Sequence, residues 1–278
     1  MAIMSIDKEK LKVALSTLQK TKEGYICPSE LVKMWSNVRL NTIVGVKLPS
    51  IGSFLQYISQ DITNIETLSS RLVWELDLSD RNELNTWDWM RFAECDIDVF
   101  HIEVRSIFDY LERIIQKVSD HPDNVTDKGF NDLRNWLLDK KSEVKKENVE
   151  RLGEDLANLV LSVDWFDDIK NVRDETLHRG ADTMVFPEKG RILFQVSKGA
   201  KNLISFPEVK FNENVIDFEL YAGVYFGYLI AFIEEVSKVV EKRLPPRKSA
   251  YGAGNPRKRY GKQLPAIYSW IGKVLEKA

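Results

Sequence analysis

Along most of the chain, apolar residues recur every three or four positions, which is the spacing of one buried face of an α-helix. The clearest case runs from Ile97 to Val118, where a wide apolar face predicts one long helix. Weaker stripes predict helices over residues 5–20, 29–40, 53–72, 130–138 and 264–275. We therefore expect a mainly α-helical protein.

Three short runs after residue 180 are instead rich in β-branched and aromatic residues, at positions 183–186, 191–196 and 202–206. Turn-forming residues at 187–190 and 198–201 separate these runs, which predicts a small antiparallel β-meander. The alternating run Leu72–Leu76 suggests one more short strand.

Residues 220–233 carry no charged side chain, yet these fourteen positions are too few to cross a bilayer. We interpret them as the central buried helix of a bundle and expect no association with a membrane. Gly223, Gly227 and Ala231 recur every fourth position, and this smooth ridge would let another helix pack closely.

One histidine of the long predicted helix and three tyrosines of the predicted central helix are candidates for a functional role. We expect His101 to be a solvated or hydrogen-bonded helix histidine rather than a ligand or a base. The hydroxyl groups of Tyr221, Tyr225 and Tyr228 either reach a cleft or, as is usual for buried tyrosines, find partners in the interior.

One long helix is predicted from about Glu147 to Gly180, where glycine would form a left-handed cap. Its apolar face consists of Leu152, Leu156, Leu159, Val163 and Phe166. The same step then reaches Lys170, Arg173 and Leu177. A cation in a packed seam is costly unless it is paired or faces a water-filled cleft, so Arg173 becomes a candidate functional residue.

A possible partner group follows Arg173 directly. On a helix, Asp174 and His178 share a face, so the carboxylate would orient the imidazole and favour its protonated form. Arg173 and His178 are about 140° apart around an ideal helix, so both would converge on a ligand lying across the helix end. An anion such as a phosphodiester fits that geometry. The alternative is ordinary helix capping by Arg and His.

The composition narrows the class of protein. The chain has 278 residues with a net charge of −2, 44% hydrophobic and 29% charged residues, which is typical of a folded domain rather than a disordered chain. Its two cysteines, Cys27 and Cys95, are far apart, so neither a disulfide framework nor a zinc site is expected. We predict that the protein uses no metal and no cofactor. We also predict a reducing, cytoplasmic location, since the early charges of the N-terminus do not resemble a signal peptide.

A basic segment lies near the C-terminus. Residues 243–262 contain seven cations and no acid, interrupted by prolines and glycines. Such a run can neutralise RNA phosphates and become ordered on binding. The alternative is a solvated, disordered tail.

The sequence Arg173-Asp174-Glu175-Thr176-Leu177-His178 resembles the R-x(4–6)-H motif of HEPN domains, in which a polar residue follows the arginine. The resemblance implies a dimeric helical bundle that brings two motifs into one cleft. Many members are metal-independent endoribonucleases, often toxins or antiviral effectors. It assigns Arg173 and His178 as the catalytic pair and Asp174 as their positioning neighbour.

We accordingly predict an N-terminal helical region at 1–90, a HEPN-like bundle at 91–244 with a β-insertion at 182–207, and a basic linker with a C-terminal helix at 245–278. RNA is the expected partner, with a second copy of the chain and a protein partner or antitoxin as further expectations. RNA contacts would come from Lys170 and Arg179 beside the motif and from Arg257, Lys258 and Arg259 in the basic run. The alternatives are a non-catalytic HEPN-like module that binds nucleotide, RNA or protein, and a helical scaffold in which the motif is accidental.

Overall fold

The computed structural model describes residues 3–17, 34, 37–38, 51–175, 183–188, 190–196, 203–245 and 265–277. Within these ranges the chain forms helices α1 (Lys8–Thr17), α2 (Ile51–Asp80), α3 (Thr86–Val118), α4 (Phe130–Leu137), α5 (Lys146–Leu152), α6 (Glu154–Leu161), α7 (Phe166–Arg173), α8 (Phe218–Arg243) and α9 (Ala266–Lys277), and strands β1 (Met184–Glu188), β2 (Arg191–Gln195) and β3 (Val215–Asp217). The predicted mainly helical fold with a small antiparallel sheet before the last bundle helix is confirmed.

Helix α8 is the centre of the molecule. Every residue from Phe218 to Glu234 is buried, and helices α1, α3 and α9 pack around it. The side chain of Asp217 caps its first turn by accepting from the backbone N–H of Leu220. Among the described residues, no helix is long and apolar enough to cross a membrane.

The predicted ridge of small residues on α8 is the contact for its neighbours. A Cβ atom added at Gly223 would lie 2.7 Å from the carbonyl oxygen of Trp270 in α9. A Cβ atom at Gly227 would lie 2.5 Å from the Leu11 side chain of α1. The backbone of α9 therefore lies closer to α8 than an alanine at position 223 would allow, whereas an alanine at position 227 would require only the Leu11 side chain to move.

The predicted boundaries after residues 90 and 244 do not separate the described residues into independent packing units. The proposed limit at residue 90 falls inside α3, which runs without a break from Thr86 to Val118. Helix α2 packs along α3, and α9 packs on both α8 and α2, so one hydrophobic core includes residues from the N-terminal, central and C-terminal segments.

The predicted strand at Leu72–Leu76 is wrong. These residues lie inside α2, which continues to Asp80. Leu72, Glu75 and Leu76 are buried and Val73 and Trp74 are exposed, which is a helical and not an alternating pattern of burial.

The sheet has the order β1-β2-β3, and both pairs are antiparallel. The predicted third strand at 202–206 is wrong in its described part, 203–206, and the insertion does not end at 207, since β3 is Val215–Asp217. The backbone N–H of Ser205 donates to Asp168 and its carbonyl oxygen accepts from Met4. Both backbone polar groups of Ser205 are thus bonded to residues outside the sheet.

Arg243 was predicted to begin the flexible basic segment, but it ends α8 in an ordered contact. Its guanidinium donates to the Val118 carbonyl (3.1 Å) and to Asp120 (2.8 Å), and it also binds Asp155. These bonds tie the end of α8 to the end of α3 and the start of α6. The other six cations of that segment, Arg257, Lys258 and Arg259 among them, lie outside the described residues.

Candidate functional site

The single long helix predicted from Glu147 to Gly180 is wrong, because the described part consists of three short helices, α5, α6 and α7. Gly153 separates α5 from α6 with φ = +96°, a value that favours glycine. A turn over residues 162–165 then separates α6 from α7. The turn changes the phase of the buried face, so the apolar spacing of residues 152–163 does not extend into α7.

Helix α7 buries Phe166, Ile169 and Val172 and packs against α3. Lys170 and Arg173, which were predicted to enter the packed seam, lie at its edge, with 33% and 26% of their side chains exposed. Both lie in the last turn, where cations are favourable at the negative end of the helix dipole. Arg173 is therefore a rim residue, neither extended into solvent nor sealed inside.

Asp174 lies between the two cations. Its carboxylate is 3.3 Å from Nη1 of Arg173 and 4.0 Å from Nζ of Lys170. Each ion pair is partly exposed and so contributes little stability by itself. Asp174 was predicted to position both Arg173 and His178, and of these two residues the structure describes its contact with Arg173.

Residues 176–182, which include His178 and Arg179, lie outside the described residues, as does the proposed Gly180 cap. Asp174 and Glu175 continue the helix as a π-turn, so the chain is still helical at the last described position before His178.

Two further arginines, absent from the sequence-based prediction, lie beside α7. The guanidinium carbons of Arg105 on α3 and Arg134 on α4 lie over the ring of Phe166, 4.9 Å and 5.6 Å from its centre, in cation–π contact. Arg134 binds Asp167 at 2.8 Å. These arginines were missed because each looks like an ordinary solvated residue of an amphipathic helix, and only the approach of α3, α4 and α7 brings them together.

Arg105 lies within the electrostatic field of Arg173. Burial lowers the pKa of Arg105, the nearby Asp109 opposes this shift, and the positive charge of Arg173 adds to it. Nη2 of Arg105 is 3.4 Å from the Asp109 carboxylate. We call the side chains of Arg105, Arg134, Lys170 and Arg173 the cationic rim.

His101 lies beneath the cationic rim and is fully buried. Its Nδ1 is 2.7 Å from the carbonyl oxygen of Ile97 and its Nε2 is 2.8 Å from the hydroxyl of Tyr221. Because a carbonyl only accepts, Nδ1 must carry the proton and Nε2 must accept from Tyr221. Burial lowers the pKa of His101 to about 4, and the charge of Arg173 also lowers it. His101 is thus a neutral, hydrogen-bonded core histidine, as the sequence suggested.

Asp168 fixes α7 on the core from below. Its carboxylate accepts from the backbone N–H of Ser205 (2.8 Å), the hydroxyl of Ser205 (2.9 Å) and the hydroxyl of Tyr225 (2.5 Å). Burial raises the pKa of Asp168, and these hydrogen bonds oppose the shift. The Tyr221 and Tyr225 hydroxyls therefore bond inside the core, and that of Tyr228 accepts from the N–H of Asp7.

No protein-family model, curated protein or solved structure matches this chain. The resemblance to HEPN domains therefore depends on the motif from Arg173 to His178. In the part of the chain that the structure describes, no group of three or more His, Cys, Asp or Glu side chains could hold a metal ion.

Proposed function

We propose that this chain is a metal-independent endoribonuclease of the HEPN type. Arg173 would hold the scissile phosphate and stabilise its developing negative charge. His178 would exchange a proton with the ribose 2′-hydroxyl or with the leaving oxygen. Asp174 would orient Arg173, and Lys170 and Arg179 would contact neighbouring phosphates. The product would carry a cyclic phosphate.

The observation that carries the proposal is the position of Arg173. It ends a helix whose other face is packed in the core, and about a quarter of its side chain remains accessible. Arg105 on α3 lies near enough for its charge to interact with that of Arg173, and the carboxylates of Asp109 and Asp174 lie beside the two arginines. An accessible guanidinium group is a favourable donor to a phosphodiester, whose oxygens it can bind in pairs.

The proposal includes the biological setting that the motif implies. A second copy of the chain would place two motifs in one cleft, and Arg257, Lys258 and Arg259 would add phosphate contacts. The cellular role would be that of a cytoplasmic toxin or antiviral effector, controlled by a protein partner.

The test is cleavage of labelled RNA by the purified protein in excess chelator. We expect products with cyclic phosphate ends. The cleavage rate should fall by at least about 100-fold in Arg173→Ala and in His178→Ala, which is the loss seen when a charge-stabilising or proton-transfer group is removed. Arg81→Ala is the matched control, because Arg81 is a half-exposed arginine in a salt bridge at the end of α2. Intact RNA, or equal cleavage by all the variants, would refute the proposal.

The second candidate is a non-catalytic HEPN-like module that binds nucleotide, RNA or protein. It is favoured by one observation, the contact of Asp174 with both Lys170 and Arg173, which balances charge within the helix end. In that case the parent protein would show no RNA turnover, and Arg173→Ala would lower the melting temperature or weaken dimerisation.

A further inference from the structure

We infer that a cavity between the β1–β2 hairpin, the start of α8 and the end of α9 is a binding site for a small molecule that carries phosphate. The cavity has a volume of about 330 Å³, which lies in the range of small-molecule sites. Its lining includes Gly190 and Arg191 from the hairpin, Leu220 from α8 and Lys277 from α9. None of the lining residues belongs to the cationic rim, so the inference does not depend on the proposed nuclease.

Three cations line the solvent-exposed side of this cavity. Arg191 begins β2, and Lys273 and Lys277 lie one turn apart on α9, so their side chains share a face of that helix. All three residues are exposed. A ligand can therefore reach them from solvent without any movement of the core.

Two acids also line the cavity, but both are buried and have partners within the protein. Asp217 is 6% exposed, and its carboxylate accepts from the backbone N–H of Leu220. Glu219 is 7% exposed and binds Lys273. Since these acids are already engaged, Arg191 and Lys277 set the charge that an entering ligand meets.

The contacts of Arg191 and Lys277 are with neutral groups. The guanidinium carbon of Arg191 lies 5.9 Å from the centre of the Phe211 ring, and Nζ of Lys277 donates to the carbonyl oxygen of Glu208 at 3.4 Å. Both cations thus keep a positive charge at the cavity. The first turn of α8, a helix of 26 residues, adds the partial positive charge of a helix N-terminus.

Phosphate is the anion that suits this arrangement. Its tetrahedral shape directs oxygens to several sides, so one group can accept from a guanidinium fork and from an ammonium group of another element. A carboxylate offers only two oxygens in one plane. The cavity therefore favours a phosphate group over a carboxylate of similar charge.

The inference can be tested by calorimetric titration of the full-length protein with inorganic pyrophosphate. Arg191→Gln and Lys277→Gln should each raise the Kd about fivefold or more, because each removes a charge-assisted hydrogen bond. Both residues are exposed, so these variants should melt at the wild-type temperature. The charge reversal Lys277→Glu should abolish binding.

Matched controls are Arg113→Gln and Lys12→Gln, which change partly exposed cations that are paired with acids on α3 and α1. Their Kd values should stay within about twofold of the wild-type value. Arg173→Ala should also keep the wild-type affinity, since Arg173 does not line the cavity.

No binding by the wild-type protein, or equal affinity in wild type, Arg191→Gln and Lys277→Gln, would overturn the inference. Tighter binding of citrate than of pyrophosphate would overturn the choice of phosphate. Loss of binding in Arg173→Ala alone would place the anion at the proposed active site instead. A protein that binds pyrophosphate through Arg191 and Lys277 but leaves RNA intact would uphold this site and refute the nuclease.

Discussion

Replacing Asp61 with asparagine should stabilise the protein above pH 8 and change its stability little near pH 4. Asp61 lies on α2 with only 8% of its surface exposed, and its carboxyl group is hydrogen-bonded to that of Glu103 on α3. Asn64 also donates to Glu103, at 2.9 Å. Two carboxyl groups in direct contact can be buried at neutral pH only if they share a proton.

The size and sign of the effect follow from the pKa of Asp61. Burial, the charge of Glu103 and the hydrogen bond between them raise this pKa from 3.8 to about 8. Between pH 4 and pH 8 the folded protein keeps a proton that the unfolded chain has released. The free energy of unfolding is therefore highest below pH 4 and falls as the pH rises to about 8. A pKa raised from 3.8 to about 8 corresponds to at most ~6 kcal/mol of lost stability, and because the two coupled carboxyl groups share this effect we expect a loss of about 2–3 kcal/mol.

The assay is urea unfolding, followed by tryptophan fluorescence, at a series of pH values. An asparagine side chain resembles the protonated acid, so the difference between Asp61→Asn and wild type should grow steadily from pH 4 to pH 8. Asp77→Asn is the matched control, since Asp77 is an exposed acid of the same helix and binds Arg81; its difference should stay nearly constant. Parallel pH profiles for Asp61→Asn and wild type would refute the shared proton.

The packing of α8 gives two further predictions. Gly223→Ala should destabilise the protein by about 1–3 kcal/mol, because the added methyl group meets the backbone of Trp270 at 2.7 Å. Gly272→Ala is the control and should leave the stability unchanged, because no atom lies within 4 Å of its new Cβ. Thermal melts of both variants check this. Asp168→Asn should cost about 3 kcal/mol, because its amide N–H groups would face donors such as the Tyr225 hydroxyl, and equal melting temperatures for Asp168→Asn and wild type would contradict the assigned network.

The helices with a strong apolar stripe were predictable from the sequence alone. The stripe from Ile97 to Val118 lies within α3, and the uncharged run at 220–233 lies within α8, because burial on one face or on all faces directly sets these patterns. The C-terminal helix was also predicted, and its apolar residues Ile267, Ile271 and Val274 are buried.

Two of the errors arise because tertiary contacts override a local pattern, and a third arises from the backbone of a single glycine. Leu72–Leu76 alternates like a strand but is held in α2 by its packing on α3. Residues 203–206 have the composition of a strand, yet Ser205 bonds to a buried carboxylate on α7 instead. The positive φ at Gly153 interrupts what the apolar spacing indicated was one helix.

The candidate site was only partly accessible from the sequence. Arg173 stood out because a cation followed an apolar face, although the turn at 162–165 moved it from the seam to the rim. Arg105 and Arg134 were not recognisable, since nothing in the local pattern of α3 or α4 distinguishes them from solvated arginines. Their contact with Phe166 depends on how three helices pack together.

The most direct test of the account is a crystal structure of the protein bound to a 2′-O-methyl RNA, which cannot be cleaved at the modified riboses. We expect a phosphate within hydrogen-bond distance of Arg173, with the imidazole of His178 beside the same phosphodiester. RNA bound elsewhere, or a His178 side chain directed away from the phosphate that Arg173 holds, would contradict it.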